Sequence, residues 1–210
     1  MIVIGICGGI GTGKSTLTNI CENQGYPVFC SDAVVAKIYE QPHIISAIAK
    51  IAPHGIIGGT ISKAALSAMV IKDPALLLKL EAVIHPAVYK EAAAFIEENK
   101  AKGASLAFIE APLMFTSNMH TLCDYTIALT TPKEVQKSRV LQREDMTPEK
   151  FETLYSRQQE EMALCKQKAD FTICTNDDIL TAKQHLERIL GKIASSLESA
   201  DELRQKQKGE

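Results

Sequence analysis

The feature that most constrains the fold of this chain is a glycine-rich segment, Gly8 to Ser15, which fits the pattern G-x-x-x-x-G-K-[ST]. The apolar residues 2–7 before it predict a buried strand, and the residues after it predict a helix. Glycines let the backbone curve around an anion, and a helix N-terminus adds unpaired N–H donors and a positive dipole end. The strand–loop–helix context therefore predicts a phosphate-binding loop, in preference to a turn that happens to precede a lysine.

Two side chains of this loop are predicted to act on a bound nucleoside triphosphate. Lys14 is expected to reach the β- and γ-phosphates, and the Ser15 hydroxyl is expected to ligate Mg²⁺. The remaining loop residues are expected to hold the phosphates: Gly9, Ile10, Gly11, Thr12, Gly13 and Thr16.

The composition excludes several classes of protein. A chain of 210 residues can bury a sizeable core as one compact unit with small inserted lobes. The 23 Lys and Arg residues against 25 Asp and Glu residues give a net charge of −2, without the footprint of a general nucleic-acid binder. Six cysteines form no C-x-x-C pair, which is typical of free thiols in a reducing compartment. Since neither a signal peptide nor an apolar run of ~20 residues is found, we expect a cytoplasmic protein without a membrane partner.

Short apolar runs alternate with helical patterns along most of the chain. They predict an α/β fold of three layers, in which helices cover both faces of a five-stranded parallel sheet. The strands are predicted at residues 1–7, 26–30, 104–109, 124–129 and 169–174. Parallel strands joined by right-handed crossovers end at one edge of the sheet. We therefore expect Asp32 and Glu110, which follow or end two of these strands, to converge near Ser15.

Two stretches interrupt this alternation. Residues 33–85 contain four helical patterns and no good strand, so they are interpreted as an inserted helical lobe that ends where His85-Pro86 begins a new helix. Residues 139–168 are charge-dense, predict two or three helices, and are interpreted as a mobile lid. The last helix is predicted over 177–197. The predicted organisation is a nucleotide-binding core at 1–32, 86–138 and 169–195, with the lobe at 33–85, the lid at 139–168 and a flexible tail at 196–210.

Two acids are candidates for chemistry at the sheet edge. Asp32 is predicted to orient or deprotonate an alcohol that accepts a phosphoryl group, and the alternative is a cap on the helix that follows. Glu110 is predicted to contact the metal through water, or equally to serve a turn or a helix cap.

Three arginines are candidates for phosphate contacts. Arg139 and Arg143 lie four residues apart, which places both on one face of a predicted helix, and guanidinium groups bind phosphate oxygens bidentately. Arg157 follows in the same polar segment. The alternative is a solvated helical face that pairs with neighbouring acids. A lone histidine such as His85 is more often structural.

Taken in order, these residues resemble the dephospho-coenzyme A kinase family. The resemblance runs from Ile2 to about Ile193, and its set of motifs is much more specific than the loop alone. It rests on the loop, Asp32, Ile84-His85-Pro86, the segment from Glu110 through Pro112-Leu113-Met114-Phe115, Arg139 and Arg143, Arg157-Gln158, and the residues from Ala169 to Asn176.

The resemblance implies a P-loop NTPase fold and transfer of the ATP γ-phosphate to the 3′-hydroxyl of dephospho-CoA, the last step of coenzyme A synthesis. It implies that Asp32 activates the acceptor, that residues 33–85 bind the CoA moiety and that Mg²⁺ accompanies ATP. The implied catalytic residues are Asp32, Lys14 and Arg139, with Arg143 on the nucleotide and His85, Leu113, Phe115 and Arg157 on the substrate. The expected partners are ATP and dephospho-CoA, and the chain is expected to be a monomer or a weak homo-oligomer.

Three positions depart from the family pattern. Cys30-Ser31-Asp32 stands where the family typically has Asp-Ala-Asp, so the acceptor acid is kept and a supporting carboxylate is lost. Thr116 stands where Glu often follows the phenylalanine. Glu110 stands where Asp is commoner, which keeps the charge.

Two other classes of protein share part of this pattern. A nucleoside monophosphate kinase or another small-molecule P-loop kinase shares the core, loop and lid, but residues 33–85 form a longer lobe than a mononucleotide needs. A GTP-regulated switch needs a guanine-reading N/T-K-x-D motif, which neither 131–134 nor 175–178 supplies. It also needs D-x-x-G after the third strand, which 110–113 lacks.

Overall fold

The computed structural model describes the backbone of residues 1–208 and the side chains of residues 1–196. Its strands are β1 (Ile2–Cys7), β2 (Val28–Cys30), β3 (Ile56–Ile57), β4 (Thr60–Ile61), β5 (Leu106–Glu110), β6 (Tyr125–Thr130) and β7 (Phe171–Cys174). Its α-helices are α1 (Lys14–Asn23), α2 (Ser31–Ile38), α3 (Pro42–Ile51), α4 (Lys63–Lys72), α5 (Ala75–Ala101), α6 (Lys133–Val140), α7 (Pro148–Arg157), α8 (Gln159–Lys168) and α9 (Ile179–Lys208). Among the described helices, none combines the length and apolar composition needed to cross a membrane.

Five strands form one parallel sheet in the order β2-β5-β1-β6-β7, which confirms the predicted α/β fold. The register sets the functional edge. Glu110 pairs with Ile6 on one side and with Cys30 on the other. The root of the glycine-rich loop, the end of β5 and the start of α2 therefore lie side by side at the carboxyl edge.

Successive residues of the central strand enter two different cores, as expected for a strand covered on both faces. Val3 and Cys7 pack in the core formed with α2 to α5. Ile4 and Ile6 pack in the core formed with α1 and α9, where Leu17 is also buried. The sheet is thus the middle of three layers.

The lobe after Asp32 is helical, but the prediction that it contains no strand is wrong. β3 and β4 form a small antiparallel hairpin, in which Ile57 pairs with Thr60. The turn residues Gly58 and Gly59 both have positive φ, 57° and 79°, which is the geometry that two-residue hairpins favour. Strands of two residues are too short to show an alternating pattern in the sequence.

The predicted break at His85-Pro86 is also wrong, because α5 continues through both residues from Ala75 to Ala101. A proline inside a helix removes one hydrogen bond and costs about 3 kcal/mol. Burial of an apolar stripe offsets this cost, and Pro86 itself lies on the exposed face. The buried residues of the stripe are Leu76, Leu80, Ile84, Val88 and Ala92.

Three helix ends differ from the predicted ones. α2 begins at Ser31, with Cys30 at the N-cap and no side-chain cap, so Asp32 lies in the first turn and is not the cap. α6 ends at Val140, so Arg143 lies beyond the helix that carries Arg139. α9 continues to Lys208, past the predicted end at residue 197. The predicted tail at 196–210 therefore falls partly in this helix, and residues 209–210 lie outside the described part of the chain.

Candidate active site

The glycine-rich loop leaves β1 and enters α1 through backbone angles that only glycine adopts readily. Gly11 and Gly13 have φ values of 76° and 90°. A Cβ atom at Gly11 would also lie 2.8 Å from the carbonyl oxygen of Gln136. The loop is closed internally, because the hydroxyl of Thr12 donates to the carbonyl of Gly9 at 2.8 Å. These constraints fix the path of the backbone at the N-terminus of α1.

Lys14 folds back over the loop. Its Nζ donates to the carbonyl oxygens of Gly8 at 2.9 Å and Gly9 at 3.2 Å. Burial lowers the pKa of Lys14, and the nearby carboxylates of Glu110 and Asp32 oppose that shift. The ammonium group therefore lies in the field of both acids that the sequence placed at this edge.

Glu110 is the buried acid of the site, with only 6% of its surface exposed. Its Oε2 accepts a hydrogen bond from the Thr18 hydroxyl at 3.1 Å. Burial raises the pKa of Glu110, and Lys14, Thr18 and Ser15 act in the opposite direction. Glu110, Asp32 and the start of α1 thus converge, as the strand ends predicted.

The oxygen donors at this position suit a divalent cation of the kind that P-loop kinases use. Ser15 offers a hydroxyl and Glu110 a carboxylate, and both are ligand types that hard cations prefer. Among the described residues, no cluster of three or more His, Cys, Asp or Glu side chains is placed to hold a metal. The pair therefore fits a cation that takes its remaining ligands from phosphate and water.

A cavity of about 390 Å³ opens beside the loop, between α1, α6 and the start of α9. Arg139 and Arg143 both line it, although they do not share a helix. The remaining lining is partly apolar and comprises Gly11, Gly13, Thr16, Leu17, Ile20, Thr175, Asp177, Asp178, Ile179 and Ala182.

Arg139 is held in this cavity by Thr175, which follows β7. Its guanidinium donates to the Thr175 hydroxyl at 3.3 Å, to the Thr175 carbonyl and, at 3.4 Å, to the carbonyl of Gly11. The Thr175 hydroxyl in turn donates to the carbonyl of Thr12 at 2.7 Å. Thr175 lies in the segment 169–176 that carries the family resemblance, directly after a predicted strand, but sequence reasoning gave it no role of its own.

A second cavity, of about 170 Å³, contains Asp32 on the other side of the sheet edge. His85 and Leu113 line it, as does Ser117. Phe115, which was predicted to contact substrate, does not line it. Its ring is 7% exposed and packs on His120 with centroids 5.0 Å apart.

A third cavity, of about 390 Å³, adjoins the second and shares Asp32 with it. Arg157, at the end of α7, lines it. Lys63 and Tyr39 lie opposite, with the Lys63 Nζ 5.6 Å from the centre of the Tyr39 ring. Sequence reasoning missed both residues, because their proximity depends on how α2 and α4 pack.

The predicted lid, residues 139–168, contains α7 and α8, and partly exposed ion pairs join α7 to α6. Glu152 pairs with Lys133 at 2.7 Å and with Lys137 at 3.1 Å. Ion pairs at the protein surface contribute little to stability, because water screens them and two long side chains lose freedom. They orient α7 and hold it only weakly.

Residues 2–181 match the family model described as dephospho-CoA kinase. A protein of Rhodopseudomonas palustris named dephospho-CoA kinase is 35% identical over 190 residues, which are 90% of this chain and 94% of that protein.

Two solved structures are similar to this chain in fold. A crystal structure of a Thermus thermophilus protein is 30% identical, covers 91% of this chain and 97% of its own, and superposes with a TM-score of 0.76. The dephospho-CoA kinase of Campylobacter jejuni superposes with a TM-score of 0.66 at 20% identity, with 92% of this chain and 98% of its own covered. At that identity, the second likeness concerns the fold alone.

Proposed function

This chain belongs to the dephospho-CoA kinase family, and we propose that it transfers the γ-phosphate of ATP to the 3′-hydroxyl of dephospho-CoA, the last step of coenzyme A synthesis. One observation carries the assignment to residues. The Asp32 carboxylate lines a cavity at the same sheet edge as the glycine-rich loop, close enough to affect the pKa of Lys14. A phosphoryl donor and an alcohol acceptor can therefore meet between Lys14 and Asp32.

The glycine-rich loop and two arginines bind the nucleotide. The amides of residue 11 and of residues 13–16 hold the triphosphate, since those of Ile10 and Thr12 already donate within the protein. Lys14 exchanges its two carbonyl partners for oxygens of the β- and γ-phosphates. Arg139 and Arg143 place positive charge beside the same cavity. The apolar residues of its wall offer a surface for the base.

Asp32 activates the acceptor. Its exposed carboxylate orients the 3′-hydroxyl and takes its proton as the hydroxyl oxygen attacks the γ-phosphorus. The bond between the γ-phosphorus and the bridging oxygen breaks, and ADP leaves with the electron pair. His85 and Leu113 form part of the wall that holds the adenosine end of the acceptor.

The rest of the acceptor extends into the lobe formed by residues 33–85, under the lid at 139–168. The third cavity continues from Asp32 and carries Arg157 and Lys63, whose charges suit the pyrophosphate of dephospho-CoA. Its apolar residues Leu66 and Leu77 suit the uncharged arm that follows.

Mg²⁺ is the proposed cation, with Ser15 and Glu110 as its protein ligands, Glu110 directly or through water. When bound, it neutralises charge on the β- and γ-phosphate oxygens.

A coupled assay of ADP release tests the proposed function. The wild-type chain is supplied with ATP and Mg²⁺ and with either dephospho-CoA or one of a panel of nucleoside monophosphates. We expect turnover with dephospho-CoA and little with the monophosphates. Turnover of a monophosphate in preference to dephospho-CoA would show nucleoside monophosphate kinase activity and refute the proposal.

A further inference from the structure

The residue before α8 holds the glycine-rich loop by its backbone. The Oε1 atom of Gln158 accepts a hydrogen bond from the amide of Ile10 at 2.7 Å. The contact joins residues 148 positions apart in the chain. The same helix also packs on the loop, because a Cβ atom at Gly9 would lie 2.6 Å from the sulfur of Met162. The loop that is proposed to hold the triphosphate is thus supported from behind by α8.

One turn later, the same helix holds the acceptor side. Glu161 is 2% exposed and accepts from the amides of Phe115 and Thr116, both at 2.9 Å. It also accepts from the hydroxyl of Thr116 at 2.8 Å. Within the described residues Glu161 forms no ion pair, so these donors, with the Cys165 thiol at 3.4 Å, carry the stabilisation of a buried carboxylate.

The segment that Glu161 holds borders the acceptor cavity. Leu113 and Ser117, on either side of the two bound amides, line that cavity together with Asp32. The segment is also closed on itself, since the amide of Ser117 donates to the carbonyl of Leu113 at 3.0 Å. A shift of the Glu161 carboxylate would therefore move one wall of the acceptor cavity.

We propose that Gln158 and Glu161 are positioning residues that fix the phosphate loop and the acceptor wall relative to each other. Gln158 is the N-cap of α8 and Glu161 lies in its first turn, so the N-terminal end of one helix holds both loops. Phosphoryl transfer depends chiefly on in-line placement of donor and acceptor, and a misplacement of 1 Å can cost about 10²-fold in rate. This inference rests on the proposed function, because it concerns the alignment of ATP with dephospho-CoA.

Near-isosteric variants test the proposal. Gln158→Met removes the oxygen that accepts from Ile10, and Glu161→Gln replaces one acceptor oxygen by a donor. We expect each to lower kcat about 10- to 100-fold while KM for either substrate changes less than about threefold. We expect the double variant to be about as slow as the slower single variant, because once one contact is lost the other no longer fixes the two loops together.

The chain supplies matched controls in the neighbouring residues. Gln159→Met and Glu160→Gln make the same chemical changes at exposed positions and are expected to keep wild-type kcat. Melting temperatures and circular dichroism of every variant show whether the protein is folded at the assay temperature.

Each other outcome has a definite meaning. Single variants with wild-type kcat would overturn the positioning role, and a double variant whose loss equals the product of the single losses would overturn the coupling. If the loss of kcat in Glu161→Gln matched the fraction of unfolded protein, Glu161 would be a structural residue only. The kcat of Gln158→Met would then decide whether the end of α8 has a positioning role. Wild-type turnover of dephospho-CoA is measured first, because its absence would refute the proposed function and not the coupling.

Discussion

The two halves of the cleft are built differently. The phosphate-binding part of the nucleotide side is one continuous segment, Gly8 to Thr16, whose backbone is fixed by glycine angles and by internal hydrogen bonds. The acceptor side is assembled from α2, α4, α5, α7 and the segment after β5. The carboxylate of its central acid, Asp32, is exposed and accepts no hydrogen bond from a described residue. The nucleotide side is therefore organised before any ligand binds, whereas the acceptor side gains its polar contacts from the substrate.

This difference matters for catalysis. A loop with fixed donors loses little entropy when phosphate binds, so its interactions act fully in the transition state. An unpaired carboxylate in an open cavity stays available to take a proton from an alcohol. The following predictions test this division, and they run from the largest expected effect to the smallest.

The largest effect is expected on the nucleotide side. Lys14→Ala should lower kcat/KM about 10³-fold or more, because the transferring phosphoryl group loses its nearest fixed cation. The melting temperature should stay close to that of the wild type. Steady-state ADP release and thermal unfolding measure the two quantities, with the exposed Lys90→Ala as the matched control. Near-normal turnover of the Lys14 variant would remove this residue from the mechanism.

The next effect is expected on the acceptor side. Asp32→Asn should lower kcat about 10²-fold or more, because an amide cannot take the proton of the acceptor hydroxyl. Calorimetric titration with a non-hydrolysable ATP analogue should give a Kd within about twofold of the wild type. Glu40→Gln, a change at an exposed acid just beyond α2, serves as the control. Unchanged kcat in the Asp32 variant would make this carboxylate a helix-terminus charge only.

Substitution of two arginines should affect the binding of the two substrates separately. Arg143→Ala should raise KM for ATP about tenfold, and Arg157→Ala should raise KM for dephospho-CoA by a similar factor, because each loses charge-assisted hydrogen bonds to phosphate. Initial rates measured against each substrate in turn give both constants. Arg188→Ala, at an exposed position of α9, is the control. If each variant affected both substrates equally, the two cavities would not be separate subsites.

The smallest effect concerns stability and the buried acid. Burial holds the pKa of Glu110 above its ordinary value of 4.5, so the native state binds more protons than the unfolded state between the two values. Its contribution is complete below pH 4.5 and is lost as the pH rises through the folded-state pKa. The contribution of Glu110 to the free energy of unfolding of the ligand-free protein should therefore fall with pH in this window, by at most about 1.4 kcal/mol per pH unit.

Glu110→Gln should remove that component and give a shallower fall. Urea unfolding, followed by circular dichroism at several pH values from 4.5 upward, measures both proteins. Parallel curves for the two proteins would show that Glu110 does not titrate in this range.

The difference between the nucleotide side and the acceptor side also explains which features could be predicted from the sequence. A contiguous loop carries its geometry in its own residues, and strands buried on both faces read as apolar runs, so the core was predictable. Glu161, Lys63 and Thr175 reach the site only through packing of distant elements, and no local pattern marks them. The break expected at Pro86 failed because a buried stripe outweighs one lost hydrogen bond. Arg139 and Arg143 do line one cavity, but a turn after α6 brings them together and a shared helical face does not.

The uninterrupted course of α5 has a mechanical consequence for the acceptor. At 1.5 Å per residue, its 27 residues form a rod about 40 Å long that spans both the lobe and the sheet. Because Pro86 has no N–H, the carbonyl of Ala82 lacks its helical donor. One backbone hydrogen bond is therefore missing on the solvent side of α5. The missing hydrogen bond lies beside Glu81 and His85, so a bend of α5 at Pro86 would move the wall around Asp32. The position of this proline thus couples the course of α5 to the cavity in which the acceptor hydroxyl is proposed to bind.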